Sequence, residues 1–315
     1  MGSRLASWNV VRVALALSVV GCGGGDDAPA DPDAGTSALP LLSTGTQLNP
    51  TEGVADYACN GTASRPTAGE PVSTRFELRD FQTGTAVGDA RFWLFRDNVV
   101  RDACAAPECE EITTSADGNA TVTLPANGWY AYRVFPREGA TPPTTVIDSM
   151  QYNEPAPAAA DSSVTGNAVS HGSLDLIPAV LDIERVPRTA MLAGIVLDCD
   201  GTPVYGAEIR AYSGATRIDE GQRPTDPRYR YFDGDSFPAG TGTFTHADGL
   251  YVAIQIPVPA AAEDVLRIEA WGRPTEGPPV RIGCEAVRVL ADAVTIVNLG
   301  PLRSDYGAGH PCAAE

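Results

Sequence analysis

The sequence contains no lysine: all 22 basic residues are arginines, set against 40 aspartates and glutamates for a formal net charge of −18. Without lysine there is no phosphate-cradling glycine loop that ends in Gly-Lys. Histidine is almost as scarce, with His171, His246 and His310 alone. No His-Glu-x-x-His helix can be built from them. Neither His171-Gly-Ser-Leu nor His246-Ala-Asp-Gly supplies the His-x-x-Glu of a zinc carboxypeptidase. A Gly-x-Ser-x-Gly nucleophile elbow is missing. So is Cys-x-x-Cys, and His310-Pro-Cys312 is too isolated to complete a tetrahedral zinc site. These gaps leave no catalytic residue to name, no structural metal and no cofactor motif. The acidic excess repels phosphate backbones and excludes nucleic acid as a partner.

Long apolar runs are lacking too. Val13-Ala-Leu-Ala-Leu-Ser-Val-Val20 is too short to span a bilayer, but it has the length of a signal-peptide core behind the positive Arg4 and Arg12. Removing those two arginines leaves a net charge of about −20. The run ends Val19-Val20-Gly21-Cys22, which resembles a bacterial lipobox. The resemblance implies a signal peptide over 1–21 and a lipid on Cys22, which would hold the chain on the membrane. Gly23 rather than Asp directly follows Cys22, which implies the outer membrane of the cell envelope. Gly, Pro, Asp and Ser dominate the stretch 22–54, which reads as a disordered tether.

Beyond the tether, the frequent residues are those of turns, with Gly 32 and Pro 26. Between the turns, apolar residues alternate with polar ones in Arg75-Phe-Glu-Leu-Arg79, Ala120-Thr-Val-Thr-Leu124, Trp129-Tyr-Ala-Tyr-Arg-Val134, Ala207-Glu-Ile-Arg-Ala211 and Tyr251-Val-Ala-Ile-Gln-Ile256. Period two over five or six residues predicts half-buried strands. No helical stripe stands out. The two halves echo each other: Gly88-Asp-Ala90, a strand, Thr114-Ser-Ala-Asp117-Gly118, then a strand ending in Pro125. Gly206-Ala207, a strand, Thr245-His-Ala-Asp248-Gly249, then a strand ending before Pro257 repeat the order. This pattern resembles the carboxypeptidase regulatory-like, or transthyretin-like, β-sandwich family, and the whole is similar to lipoproteins of myxobacteria. The resemblance implies an all-β chain of two tandem transthyretin-like or immunoglobulin-like sandwiches, module 1 over 55–187 and module 2 over 188–303, then a tail over 304–315. Such modules imply spacers, adhesion units or accessory domains rather than enzymes, with a polysaccharide or a surface protein as the partner class.

Module 2 carries an insertion over 213–241, where a sandwich usually places its binding residues. Tyr229, Tyr231 and Phe232 within it, like Trp129, Tyr130 and Trp271 elsewhere, are a sugar-stacking platform if exposed and core if buried. Asp233-Gly-Asp235 puts two carboxylates in one turn, the donor type for Ca²⁺, although the twelve-residue calcium loop is absent. The six cysteines other than Cys22 are an even set for an exported chain, and six permit fifteen pairings. Cys199 follows Ile195 and Leu197, and Cys284 follows Ile282, so both read as inward-facing partners for each other. Cys104 and Cys109 then close a local loop, and Cys59 and Cys312 pair by elimination.

Overall fold

A computed structural model describes residues 39–81, 83–136, 146–235, 237–261 and 264–313. The expected signal segment, Cys22 and the first part of the expected tether lie outside the described residues. In chain order the strands are Ser43–Thr44 (β1), Gly53–Val54 (β2), Pro71–Asp80 (β3), Arg91–Phe95 (β4), Cys109–Thr113 (β5), Asn119–Pro125 (β6), Trp129–Val134 (β7), Ser149–Pro155 (β8) and Ser163–Ala168 (β9). After the helix His171–Val180 (α1) come Ala190–Ile195 (β10), Glu208–Ser213 (β11), Thr216–Ile218 (β12), Arg228–Phe232 (β13), Pro238–Ala239 (β14), Leu250–Ile256 (β15), Leu266–Gly272 (β16), Val280–Val287 (β17) and Val294–Val297 (β18). Among the described residues the fold is all-β apart from this one helix.

Both halves are sandwiches with one strand plan. β3 lies between antiparallel β6 and parallel β9, and β10 lies between antiparallel β15 and parallel β18. The opposing sheets also correspond, β5-β4-β7-β8 in module 1 and β12-β11-β16-β17 in module 2. The two sandwiches then fuse. β18 pairs in parallel with β8, so one sheet of each module merges into nine strands in the order β14-β13-β15-β10-β18-β8-β7-β4-β5. The fusion leaves neither β18 nor β8 as an open edge.

Alternation along these strands places the two partner sheets on opposite faces of the nine. Phe92, Leu94, Tyr130 and Tyr132 face the three-stranded sheet and pack with its Phe76 and Leu78. Phe95, Ala131, Met150 and Tyr152 point the other way and join the core of module 2 with Leu192, Tyr251 and Ile268. Burying each large apolar side chain contributes about 2–3 kcal/mol.

Two expectations need correction. The helix α1 was not legible as a stripe in so short a segment with Gly172 and Pro178, yet its signals exist. Ser170 caps it, accepting from Ser173 N–H at 3.2 Å, and Leu174, Ile177 and Leu181 pack on Met191, Val252 and Ile296. It covers the face of the nine-stranded sheet that no partner sheet covers in module 2. The second correction concerns the tether, which is built into the fold from Leu39 onward. Leu42 is buried in the module 2 core, and its N–H donates to Arg273 O at 2.9 Å. β1 pairs with β2, and Ser43 bridges to Tyr205. The docked tether also runs past the expected boundary at 55: Asp56, Tyr57 and Cys59, expected to open module 1, are bound to module 2 instead. Composition alone hides this, because a few anchoring residues such as Leu42, Ala55 and Tyr57 hold a stretch that is otherwise polar.

Candidate functional site

The insertion is not a free loop. It adds β12 to one sheet and β13 with β14 to the other. In β13, Arg228, Arg230 and Phe232 alternate with Tyr229 and Tyr231, which are only 8% and 3% exposed. Tyr229 OH donates to Ile218 O at 2.6 Å, and Tyr231 OH accepts from Ile209 N–H at 2.8 Å. Both rings are core, so they offer no stacking platform. Tyr130 is core as well. Trp129 and Trp271 are half-buried under guanidinium groups, with Arg303 5.5 Å and Arg210 4.3 Å from their rings. Asp233 and Asp235 are exposed. Asp233 Oδ1 accepts from the N–H groups of Asp235 (2.9 Å) and Phe237 (3.1 Å), so it shapes its own turn. Among the described residues no three His, Cys, Asp or Glu side chains stand close enough to share a metal ion. Tyr231→Phe is expected to cost about 1 kcal/mol in urea denaturation, because Ile209 N–H loses its acceptor in the core. An unchanged midpoint would refute the bond.

The repeated Thr-x-x-Asp-Gly motif proves to be a buckle inside each sandwich. Thr114 Oγ1 accepts from Ala90 N–H (2.9 Å) and donates to Val87 O (2.9 Å). Thr245 Oγ1 accepts from Ala207 N–H (3.0 Å) and donates to Val204 O (2.6 Å). Gly118 and Gly249 follow at φ +75° and +66°, each with backbone so near that a Cβ would meet Leu78 O at 2.8 Å or Val196 O at 2.6 Å. The motif is structural in both copies. His246, next to one buckle, places Nδ1 2.9 Å from the Gln47 side-chain amide and so meets the docked tether.

The six cysteines form three disulfides, Cys59–Cys199, Cys104–Cys109 and Cys284–Cys312. The Cys199–Cys284 pairing expected above does not occur, and neither does Cys59–Cys312. The error lies in the phase of β17. Its register against β16 slips between Ala270 and Trp271, so Arg281 opposes Trp271, Gly283 opposes Ala270, and Ile282 is the bulged residue. Ile282 enters the core, while Cys284 stands opposite Glu269 on the outer face, where the C-terminal tail covers it.

What sequence reasoning missed is the polar seam between the modules. Asn153 donates from Nδ2 to Glu285 Oε2 (3.1 Å) and to Asn298 O (2.8 Å), and its N–H donates to Asn98 Oδ1 (2.8 Å). Beside it, Glu154 accepts from Gln151 Nε2 (2.5 Å) and Asn298 Nδ2 (3.0 Å). Burial pushes the Glu154 carboxyl up to about 7, against the pull of those two amides. The folded protein therefore holds this proton more tightly than the unfolded chain, and the associated stability is complete below pH 4.5 and lost as pH rises through about 7. Glu154→Gln keeps a carbonyl acceptor and removes the loss. The variant should gain about 2 kcal/mol over wild type at pH 8 and nothing at pH 4, less than the full shift implies because some solvent contact remains. Equal differences at both pH values in urea melts would refute this. The signal in sequence was faint: four amide side chains scattered over two modules.

No protein-family model matches this chain, and no curated protein does. Among solved structures it is similar to a streptococcal ancillary pilin at 15% identity, over 73% of this chain and 62% of that one, with a TM-score of 0.20. It is similar to an intradiol ring-cleavage dioxygenase from Tetranychus urticae at 12% identity, over 37% and 64%, TM-score 0.19. A third is the shaft pilin SpaA from Lactobacillus rhamnosus GG, at 13% identity over 75% and 98%, TM-score 0.21. The chain thus spans less than two thirds of the length of the first two. At these scores the likeness assigns neither activity nor ligand, and the β-sandwich class rests on the strands themselves.

Proposed function

We propose that the chain is a non-catalytic protein of the cell envelope, lipid-anchored through Cys22 at the outer membrane, whose paired sandwiches serve as a stiff structural or adhesive unit. The observation that carries the reading is the β18–β8 joint, which makes one nine-stranded sheet of two modules. A joint of backbone hydrogen bonds, flanked by buried Asn153 and Asn98, resists the hinge motion that is the default between domains. Many of the described arginines pair with carboxylates, as Arg133 does with Asp148 (2.6 Å) and Arg210 with Glu208 (2.8 Å). Polysaccharides and surface proteins are the partner classes that suit such a unit.

Two measurements test this reading together. Metabolic labelling with an acyl-chain analogue should mark the full-length protein and fail to mark Cys22→Ala. Glycan and polymer arrays, with and without Ca²⁺, then look for the partner. Turnover of any substrate that a single substitution abolishes would overturn the non-catalytic reading.

A further inference from the structure

We infer that the fold reverses the order of its modules on the membrane: module 2 is proximal and module 1 is held out. Sequence order alone gives the opposite, a tether followed by module 1 and then module 2. The inference rests on the N-terminal anchor proposed above, and otherwise on where the tether docks.

The described chain begins on module 2. Arg273 Nη1 donates to Leu39 O at 2.8 Å, and Leu42 inserts into the module 2 core. Gln47 then reaches the Asp233-Gly234 turn, where its carbonyl lies 3.2 Å from the position of a Cβ on Gly234, and its side chain meets His246. That turn joins β13 to β14, the edge of the nine-stranded sheet farthest from module 1. Four strand spacings separate β13 from β8, about 20 Å.

From this far edge the segment runs along module 2 towards the seam. Asp56 N–H donates to Asp198 Oδ2 (3.1 Å), Tyr57 OH donates to Leu197 O (3.2 Å), and Cys59 is bonded to Cys199. Gly61 N–H then donates to Leu302 O (2.8 Å), and Arg65 N–H to Asp305 Oδ2 (2.8 Å). Module 1 begins only after that, with β3 at Pro71. A core side chain and a disulfide therefore fix the tether to module 2 before the chain reaches module 1. The partner-facing surface of the anchored protein is then module 1, with the β4–β5 edge outermost.

Energy transfer on vesicles tests the order. A donor is placed by an unnatural amino acid at Asp117 of module 1 or at Asp235 of module 2, both exposed, in the full mature chain. The chain is carried on phosphatidylcholine vesicles with a headgroup acceptor, once through its native lipid and once through an N-terminal hexahistidine tag on nickel-chelating lipid. Transfer should be larger from position 235 than from 117 in both formats. Equal transfer, or more from 117, overturns the inference. If the native chain fails to float with vesicles while the tagged chain does, the anchor reading fails and the tagged comparison still decides the order. A variant combining Cys59→Ser, Cys199→Ser and Leu42→Asp undocks the tether and should lose or reverse the difference. An unchanged difference in a folded variant also overturns it, and if that variant misfolds, the wild-type comparison stands alone.

Discussion

Replacing Cys59 and Cys199 together by serine should lower the unfolding free energy by about 5 kcal/mol, the largest effect of any disulfide in this protein. The bond closes a sequence separation of 140 residues, a ring that contains every strand of module 1. In the chain-entropy view, longer rings restrict the unfolded chain more. The same relation gives about 3.6 kcal/mol for Cys284–Cys312, with separation 28, and about 2 for Cys104–Cys109, with separation 5. The ordering is the test. Urea denaturation of the three serine double variants, each oxidised at its remaining pairs, should rank them by ring size. A loss from the Cys104 and Cys109 pair equal to that from Cys59 and Cys199 would refute the entropic account here.

Asp198→Ala is expected to cost about 3 kcal/mol, without any change to the apolar core. Its carboxylate is 4% exposed and accepts three backbone N–H groups: Asp56 (3.1 Å), Asp200 (3.0 Å) and Thr202 (2.8 Å). Alanine leaves all three donors unpaired, two in the turn that precedes Pro203 and one in the tether. Hydrogen bonds to a charged acceptor are the stronger kind. Asp198→Asn keeps one carbonyl oxygen, enough for Asp200 and Thr202, and should recover about half of the loss. Amide exchange at Asp56 should rise in both variants. If asparagine proves as damaging as alanine, the three-way acceptance is wrong.

Much of the fold was written in local pattern. The alternation at 75–79, 120–124, 207–211 and 251–256 emerges as β3, β6, β11 and β15. The Thr-x-x-Asp-Gly echo was visible because the buckle needs a hydroxyl at one place and a positive-φ glycine four residues later. Arg-Tyr-Arg-Tyr-Phe at 228–232 also alternates, but its Pro, Asp and Gly flanks make it read as loop, and whether its tyrosines are buried depends on β15 lying beside it. Cysteine pairing fails for the same kind of reason. A single bulged residue, Ile282, flips the face on which Cys284 stands, and no local pattern marks a bulge. The seam and the docked tether are joined by contacts more than a hundred residues apart, such as Asp56 with Asp198 and Asn153 with Glu285, so they leave no trace in any window of sequence.

The joint between the modules has the form of a repeat array, in which each unit lends an edge to the next. β18 is the outer strand of one sheet in module 2, and β8 is the outer strand of the other sheet in module 1. Their counterparts are β9 in module 1 and β17 in module 2, the two places where a chain of such units would grow. The C-terminal segment already sits along β17: Leu302 N–H donates to Ile282 O at 3.0 Å, Tyr306 OH donates to Cys284 O at 2.6 Å, and Cys312 fastens the segment down. Solenoid proteins need a terminal unit that shields the last face. Here the segment from Leu302 to Cys312, held by one covalent bond, shields β17 in that way.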